Sequence, residues 1–142
     1  VIDKLKENKF EVVLCGSKED LLTNQAIYAL CKMKPIITNN FSLEDTAALY
    51  SLAHLVLTID SMSTHLASAT QTPVISIFGP SNEKNWGPWG GKHRVIALTT
   101  ENSPTFACRP CGQDGCEGSK ISQCLIQMEP DLIISEALKI LR

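Results

Sequence analysis

Short, continuously apolar runs alternate along this chain with segments whose apolar residues recur at helical spacing. Residues 1–9 read as a helix. The first apolar run, 10–14, closes on Cys15-Gly16-Ser17, the pattern of a buried strand ending in a turn at Gly16. Over 18–32 the apolar residues Leu21, Leu22, Ala26, Ile27, Ala29 and Leu30 fall at helical spacing, and Pro35 stands just beyond the end. Residues 36–38 predict a second short strand. Ser42-x-x-Asp45 has the form of a capping box, opening a helix through Leu52 with Leu43, Ala47 and Leu49 or Tyr50 facing inward.

Residues 55–59 are apolar and mostly β-branched apart from Thr58, as expected of a parallel strand covered by helices on both faces. Asp60 marks its carboxyl end, and residues 61–64 supply capping hydroxyls for a short helix through Ala69. A buried strand over 73–78 ends at Gly79-Pro80, and 93–98 predicts the last strand. Pro130 suits the first turn of a terminal helix, with Asp131 near its positive end and Leu132, Ile133, Ala137, Leu138 and Leu141 as its apolar side. Strict alternation of this kind argues for an α/β fold: a Rossmann-like open parallel sheet with helices on both faces. Because the chain opens on a helix without the strand that normally precedes it, the expectation is one domain, 1–142, belonging to a longer protein and lacking its first strand.

Composition narrows the function classes. The 142 residues are 44% hydrophobic, enough for a core of ordinary size in one domain. The 13 Lys+Arg and 15 Asp+Glu balance to a net charge of -2, and no basic cluster could track a phosphate backbone, so nucleic acid is not an expected partner. No apolar run approaches the roughly 18 to 20 residues of a transmembrane helix, and the start lacks the order of a signal peptide, so a cytoplasmic location is expected. Cys15 and Cys31 lie singly in apolar segments, where a thiol behaves as a small hydrophobe.

In an open parallel sheet, ligands bind where strand carboxyl ends lead into helix N-termini, whose free amides favour anions. Three such edges stand out: Gly16-Ser17-Lys18-Glu19, Asp60-Ser61-Met62-Ser63-Thr64-His65, and Phe78-Gly79-Pro80-Ser81. The second is richest, with a carboxylate, three hydroxyls and an imidazole within six residues. Asp, Ser and Thr also serve as ordinary helix caps, and Gly-Pro often marks only a sharp turn. His54 and His93 have no neighbours in sequence that would orient them for chemistry. The segment Trp86-Gly87-Pro88-Trp89 could offer aromatic faces to a sugar or pin its loop to the domain.

The stretch from Leu55 through Asp60-Ser61-Met62-Ser63-Thr64-His65-Leu66-Ala67, followed by Thr72-Pro73 and Phe78-Gly79-Pro80, resembles glycosyltransferase family 9, which includes the lipopolysaccharide heptosyltransferases. The similarity extends upstream through 41–45 and downstream through Trp86, Cys108-Arg109-Pro110-Cys111 and Met128-Glu129-Pro130. It implies a two-domain GT-B enzyme whose C-terminal domain, this chain, holds an ADP-sugar donor, while an N-terminal domain holds a lipopolysaccharide-core or other glycan acceptor. It implies inverting transfer, heptose being the expected sugar, without a cofactor for catalysis. Asp60, Ser61 and His65 match family positions that contact the donor's sugar and diphosphate, with Ser63 and Thr64 in the same turn and His65 stabilising the leaving group. Gly16, Ser17 and Glu19 or Asp20 match an acidic edge of the donor pocket, and Leu43 the adenine pocket. The family's general base belongs to the N-terminal domain, so none is assigned here. The parent enzyme would have no transmembrane segment and would associate peripherally with the inner membrane. Met62 departs from the family's usual Gly, which permits positive φ and close ligand approach.

Four remaining cysteines, Cys108, Cys111, Cys116 and Cys124, crowd a loop over 108–124. Their spacing could place four thiolates around a structural zinc ion, or an iron-sulfur cluster could use them. Disulfides, which a reducing cytosol disfavours, and plain reduced thiols are the other readings. The rivals to a lipopolysaccharide transferase are a transferase of the same fold acting on another glycan, and a non-catalytic metal-binding or interaction module centred on this loop.

Overall fold

The computed structural model describes residues 1–99 and 102–142, which cluster into two compact units, Val1–Ala48 and Leu49–Arg142. In the first unit, α1 (Ile2–Glu7) leads to β1 (Val13–Gly16), α2 (Leu21–Leu30) and β2 (Ile36–Asn39). The strands pair in parallel, Val13 opposite Ile36 through Gly16 opposite Asn39. Parallel neighbours need a crossover, and α2 supplies it. Asp3 of α1 accepts the backbone N–H groups of Met33 (2.8 Å) and Lys32 (3.2 Å), tying the helix to the link before β2. Those two bonds hold its carboxyl below the usual carboxylate range.

Helix α3 (Leu43–Leu52) contains the division between the units. Ser42 caps it, half of the expected box: Ser42 Oγ accepts the Asp45 N–H at 3.0 Å, and the return bond runs from the Ser42 hydroxyl to Asp45 Oδ2 at 2.9 Å. The second unit continues with β3 (Val56–Ile59), α4 (Met62–Ala69), β4 (Val74–Phe78), α5 (Glu83–Trp86), β5 (His93–Ala97), α6 (Gln123–Ile126) and α7 (Pro130–Leu141). Its three strands are parallel in the order β3-β4-β5, so β4 is central. That position explains why β4 is apolar at every residue but Ser76. Val74, Ile75, Ser76 and Phe78 are all buried, packed with Val56, Ala67, Ile96 and Ala97. Phe106, Cys124, Met128 and Ala137 are buried as well.

The parallel α/β architecture expected from the alternation is therefore observed, its strands pairing in a two-stranded and a three-stranded sheet. Several side-chain expectations are corrected. Leu22 and Leu30 of α2 are exposed, and the residue that α2 buries is Asn24, whose Nδ2 donates to the Cys15 carbonyl at 3.3 Å. Leu43 is exposed, whereas Tyr50 is buried as expected. Ile59 is 56% exposed, so β3 is not covered at its carboxyl end. Trp86 and Trp89 are both exposed; the Trp89 loop is held through its backbone, whose N–H donates to Ser68 Oγ at 3.2 Å.

Candidate functional site

At the carboxyl edge of the three-stranded sheet the chain leaves β3 through Asp60, whose N–H reaches across to the Ile77 carbonyl at 3.0 Å. This bond continues the β3–β4 ladder by one residue and fixes the carboxylate at the sheet's rim. Ser61 is the N-cap of α4 in extended conformation. Instead of turning back onto the helix, its Oγ lies 3.1 Å from Thr58 Oγ1. The Thr64 N–H bonds the Ser61 carbonyl at 3.0 Å, so by helix geometry the Met62 and Ser63 amides are the ones left without an intrahelical acceptor, at the positive end of the dipole. An anion at this turn would meet them directly.

Beside Asp60 lies a shallow cleft of about 190 Å³ lined by Ile59, Asp60, Gly79, Ser81, Gln113 and Asp114, among others. It joins the ends of β3 and β4 to the 108–124 loop. Ser81 donates its hydroxyl hydrogen to Asp60 Oδ2. Gly79 is fitted closely here: a Cβ at that position would come within 2.7 Å of Leu125 Cγ on the opposite wall.

The residues predicted for the donor divide as follows. Asp60 lines the cleft, while Ser61, Ser63 and His65 are half-buried at the start of α4 and do not line it. Among the described residues the His65 imidazole has no hydrogen-bond partner, which leaves its ring nitrogens available. Thr64 is a correction. Its side chain is fully buried and hydrogen-bonded to Ser76 Oγ and the Ile59 carbonyl, so its hydroxyl faces the core. Ser81 belongs to the third of the edges expected to meet a ligand; its link to Asp60 depends on a fold contact 21 residues away, which the sequence pattern does not show.

The other predicted positions belong to the first unit. Gly16 closes β1 where a Cβ would meet Asp20 Cβ at 2.7 Å and the Nδ2 atoms of Asn24 and Asn39 at 3.0 Å. Ser17 donates both its N–H and its hydroxyl to Asp20 Oδ2, each at 2.8 Å, and its carbonyl accepts from Asn39 Nδ2 at 2.8 Å. The two Ser17 bonds hold the Asp20 carboxyl below its ordinary range. Glu19 is exposed, and the single hydroxyl hydrogen of Ser17 goes to Asp20. Of the two acidic residues, Asp20 is the one the turn uses.

The four loop cysteines are free thiols, Cys108 and Cys111 exposed and Cys124 buried. Burial pushes the Cys124 thiol up. Among the described residues no three His, Cys, Asp or Glu side chains are grouped so as to hold a metal ion. Nor is any helix of the described residues long and apolar enough to cross a membrane.

The chain is similar to several known proteins. Over 93 residues the chain is 39% identical to Lipopolysaccharide heptosyltransferase 3 of Escherichia coli (strain K12), covering 63% of this chain and 27% of that protein. It is 31% identical over 110 residues to Lipopolysaccharide core heptosyltransferase OpsX of Haemophilus influenzae, covering 75% and 32%. In fold it matches the crystal structure of the glycosyl transferase family 9 from Veillonella parvula DSM 2008, with a TM-score of 0.77 at 24% identity, over 99% of this chain and 39% of that one. The structure of E. coli ADP-heptose lps heptosyltransferase II matches with a TM-score of 0.78 at 23% identity and the same coverage. This chain thus spans well under half the length of the relatives it matches. Residues 1–112 match the profile of glycosyltransferase family 9 (heptosyltransferase), and the chain belongs to that family.

Proposed function

We propose that this chain is the donor-binding part of a glycosyltransferase that moves heptose from an ADP-sugar to a lipopolysaccharide-core acceptor. The observation that carries the reading is the Asp60 turn: a carboxylate at a strand end, a helix N-terminus immediately after it, and a cleft alongside. The names of the heptosyltransferase relatives support heptose as the sugar and a lipopolysaccharide core as the acceptor.

In inverting transfer an acceptor hydroxyl attacks the anomeric carbon. The bond from that carbon to the diphosphate oxygen breaks, the electron pair leaves with ADP, and the hydroxyl proton passes to a base. Within this chain the work is on the leaving side. The amides opening α4 and the His65 imidazole would hydrogen-bond the diphosphate as negative charge builds on it, an arrangement that is fixed before reaction and needs no reorganisation. Asp60, at the cleft, would accept hydrogen bonds from the sugar hydroxyls. No residue of this chain is assigned as the base.

Calorimetric titration of folded protein with ADP, UDP and GDP tests the proposal. ADP binding with clear preference over UDP and GDP is expected. No heat from ADP at millimolar concentration, or tighter binding of UDP, would overturn the donor assignment.

A further inference from the structure

The reading above leaves one buried charge unexplained. Arg109, in the cysteine loop, has a side chain only 3% exposed. Its Nε donates to the Gly79 carbonyl, its Nη1 to the Leu98 carbonyl at 3.1 Å, and its Nη2 to the Ser81 carbonyl at 3.3 Å and to Glu83 Oε2 at 3.1 Å. Three residues further on, the Gly112 N–H donates to the Pro80 carbonyl at 2.9 Å. All three consecutive carbonyls of Gly79-Pro80-Ser81 are therefore held by residues 109–112. The same Ser81 donates its hydroxyl to Asp60. A continuous path of hydrogen bonds runs from the guanidinium, through the backbone of Ser81, to the carboxylate at the cleft.

A buried guanidinium is tolerated only when its donors are matched, and here carbonyls and one carboxylate match them. The planar fork is what allows one side chain to hold the ends of β4 and β5 together; an ammonium could not span the same acceptors. We infer that Arg109 is a positioning residue for the donor site, fixing the Gly79–Ser81 turn so that Ser81 holds Asp60 in place. The conformation of the cysteine loop then matters through Arg109 and Gly112 and not through the thiols. The inference rests on the donor-site reading of Asp60.

The test is a double-mutant cycle on ADP-heptose affinity, measured well below each protein's melting temperature, with Arg109→Met, Ser81→Ala and the double variant. Arg109→Met and Ser81→Ala should each weaken ADP-heptose about tenfold, the scale of one charged hydrogen bond. The double variant should be no weaker than the worse single one, because both cut the same path. Fully additive losses would overturn the inference, as would an Arg109→Met protein that melts lower yet binds ADP-heptose like the wild type. If Arg109→Met does not fold, Arg109→Lys keeps the charge without the fork and should show the same loss. Wild-type protein that binds neither ADP nor ADP-heptose would overturn the donor reading alone. A crystal structure of the Arg109 variant then decides the remaining half: the Ser81–Asp60 bond should be lost, and its persistence would overturn the positioning role.

Discussion

Thr64 Oγ1 and Ser76 Oγ lie 3.0 Å apart with neither residue reached by solvent, joining the first turn of α4 to the middle of β4. Thr64 Oγ1 is also 3.3 Å from the Ile59 carbonyl, which can only accept. A hydroxyl has one hydrogen, so the direction is fixed: Ser76 donates to Thr64, and Thr64 donates to Ile59. The relay pins the start of α4 to the end of β3 and so holds the Asp60 turn from below.

Removing one member should therefore destabilise the fold. Ser76→Ala leaves Thr64 with a lone pair unmet, and Thr64→Val leaves the Ser76 hydroxyl without its acceptor, while the Ile59 carbonyl keeps its bond from Thr58 Oγ1 at 3.0 Å. Each should cost about 1–3 kcal/mol in chemical denaturation. The double variant should lose less than the sum, since the orphaned partner is removed with it. Strict additivity would mean that the two hydroxyls act independently.

The Ser17–Asp20 turn predicts a pH dependence. Asp20 has its carboxyl pK lowered on folding by the Ser17 hydroxyl and N–H. A group lowered in this way stabilises the folded state above its unfolded pK, and the contribution is lost as pH falls through the folded value. The window thus opens near the ordinary value of 3.8 and extends below it. Asp20→Asn should melt lower than the wild type at neutral pH, with the gap closing in acid. A gap of constant size would show that the charge on Asp20 is irrelevant to the turn.

The loop thiols should react in an order set by burial. Cys108 and Cys111 are exposed, whereas Cys124 is buried and desolvation disfavours its thiolate. Iodoacetamide followed by mass spectrometry should label the first two quickly and Cys124 only on unfolding. The same arrangement predicts that chelator treatment leaves the melting temperature unchanged, because no group of ligands converges among the described residues. One equivalent of bound zinc, or a lower melting point after chelation, would return the loop to a metal-site reading.

The strand and helix order was legible because each element carries its own signal: the apolar run of β4, the cap at Ser42, and Pro130 opening α7. What periodicity could not supply was which face each helix buries. In α2 the apolar residues Leu22 and Leu30 lie outside, while Asn24 lies inside because it satisfies a strand carbonyl. A polar residue buried for a hydrogen bond leaves no trace in a hydrophobic pattern. The Asp60 turn was found from chemistry concentrated in six residues. The Thr64 hydroxyl was misread there for the converse reason: its partner Ser76 is 12 residues away. Arg109 was visible only as one residue of a cysteine motif, since its acceptors Gly79 and Ser81 are 30 and 28 residues distant.

His65 gives the sharpest separation between a donor contact and an ordinary first-turn residue. It is half-buried, and among the described residues its imidazole bonds to nothing, so the fold makes no visible use of it. His65→Ala breaks no hydrogen bond among the described residues and leaves the buried core intact, so it should leave the melting temperature within about 2 °C. In the intact transferase the same change should lower kcat/KM roughly 10²-fold, because a hydrogen bond to charge developing on the diphosphate is made most strongly in the transition state. A loss confined to KM would place His65 in ground-state binding only. Near-normal turnover with a melting point several degrees lower would make it structural and remove it from the donor site. Asp60→Asn is the companion: it keeps the shape and a carbonyl that can accept from Ser81 while removing the charge. Loss of transfer in that variant with an unchanged melt would locate the effect in the carboxylate's charge, whereas a lower melt would mean that the carboxylate serves mainly to tie β3 to the Ser81 turn.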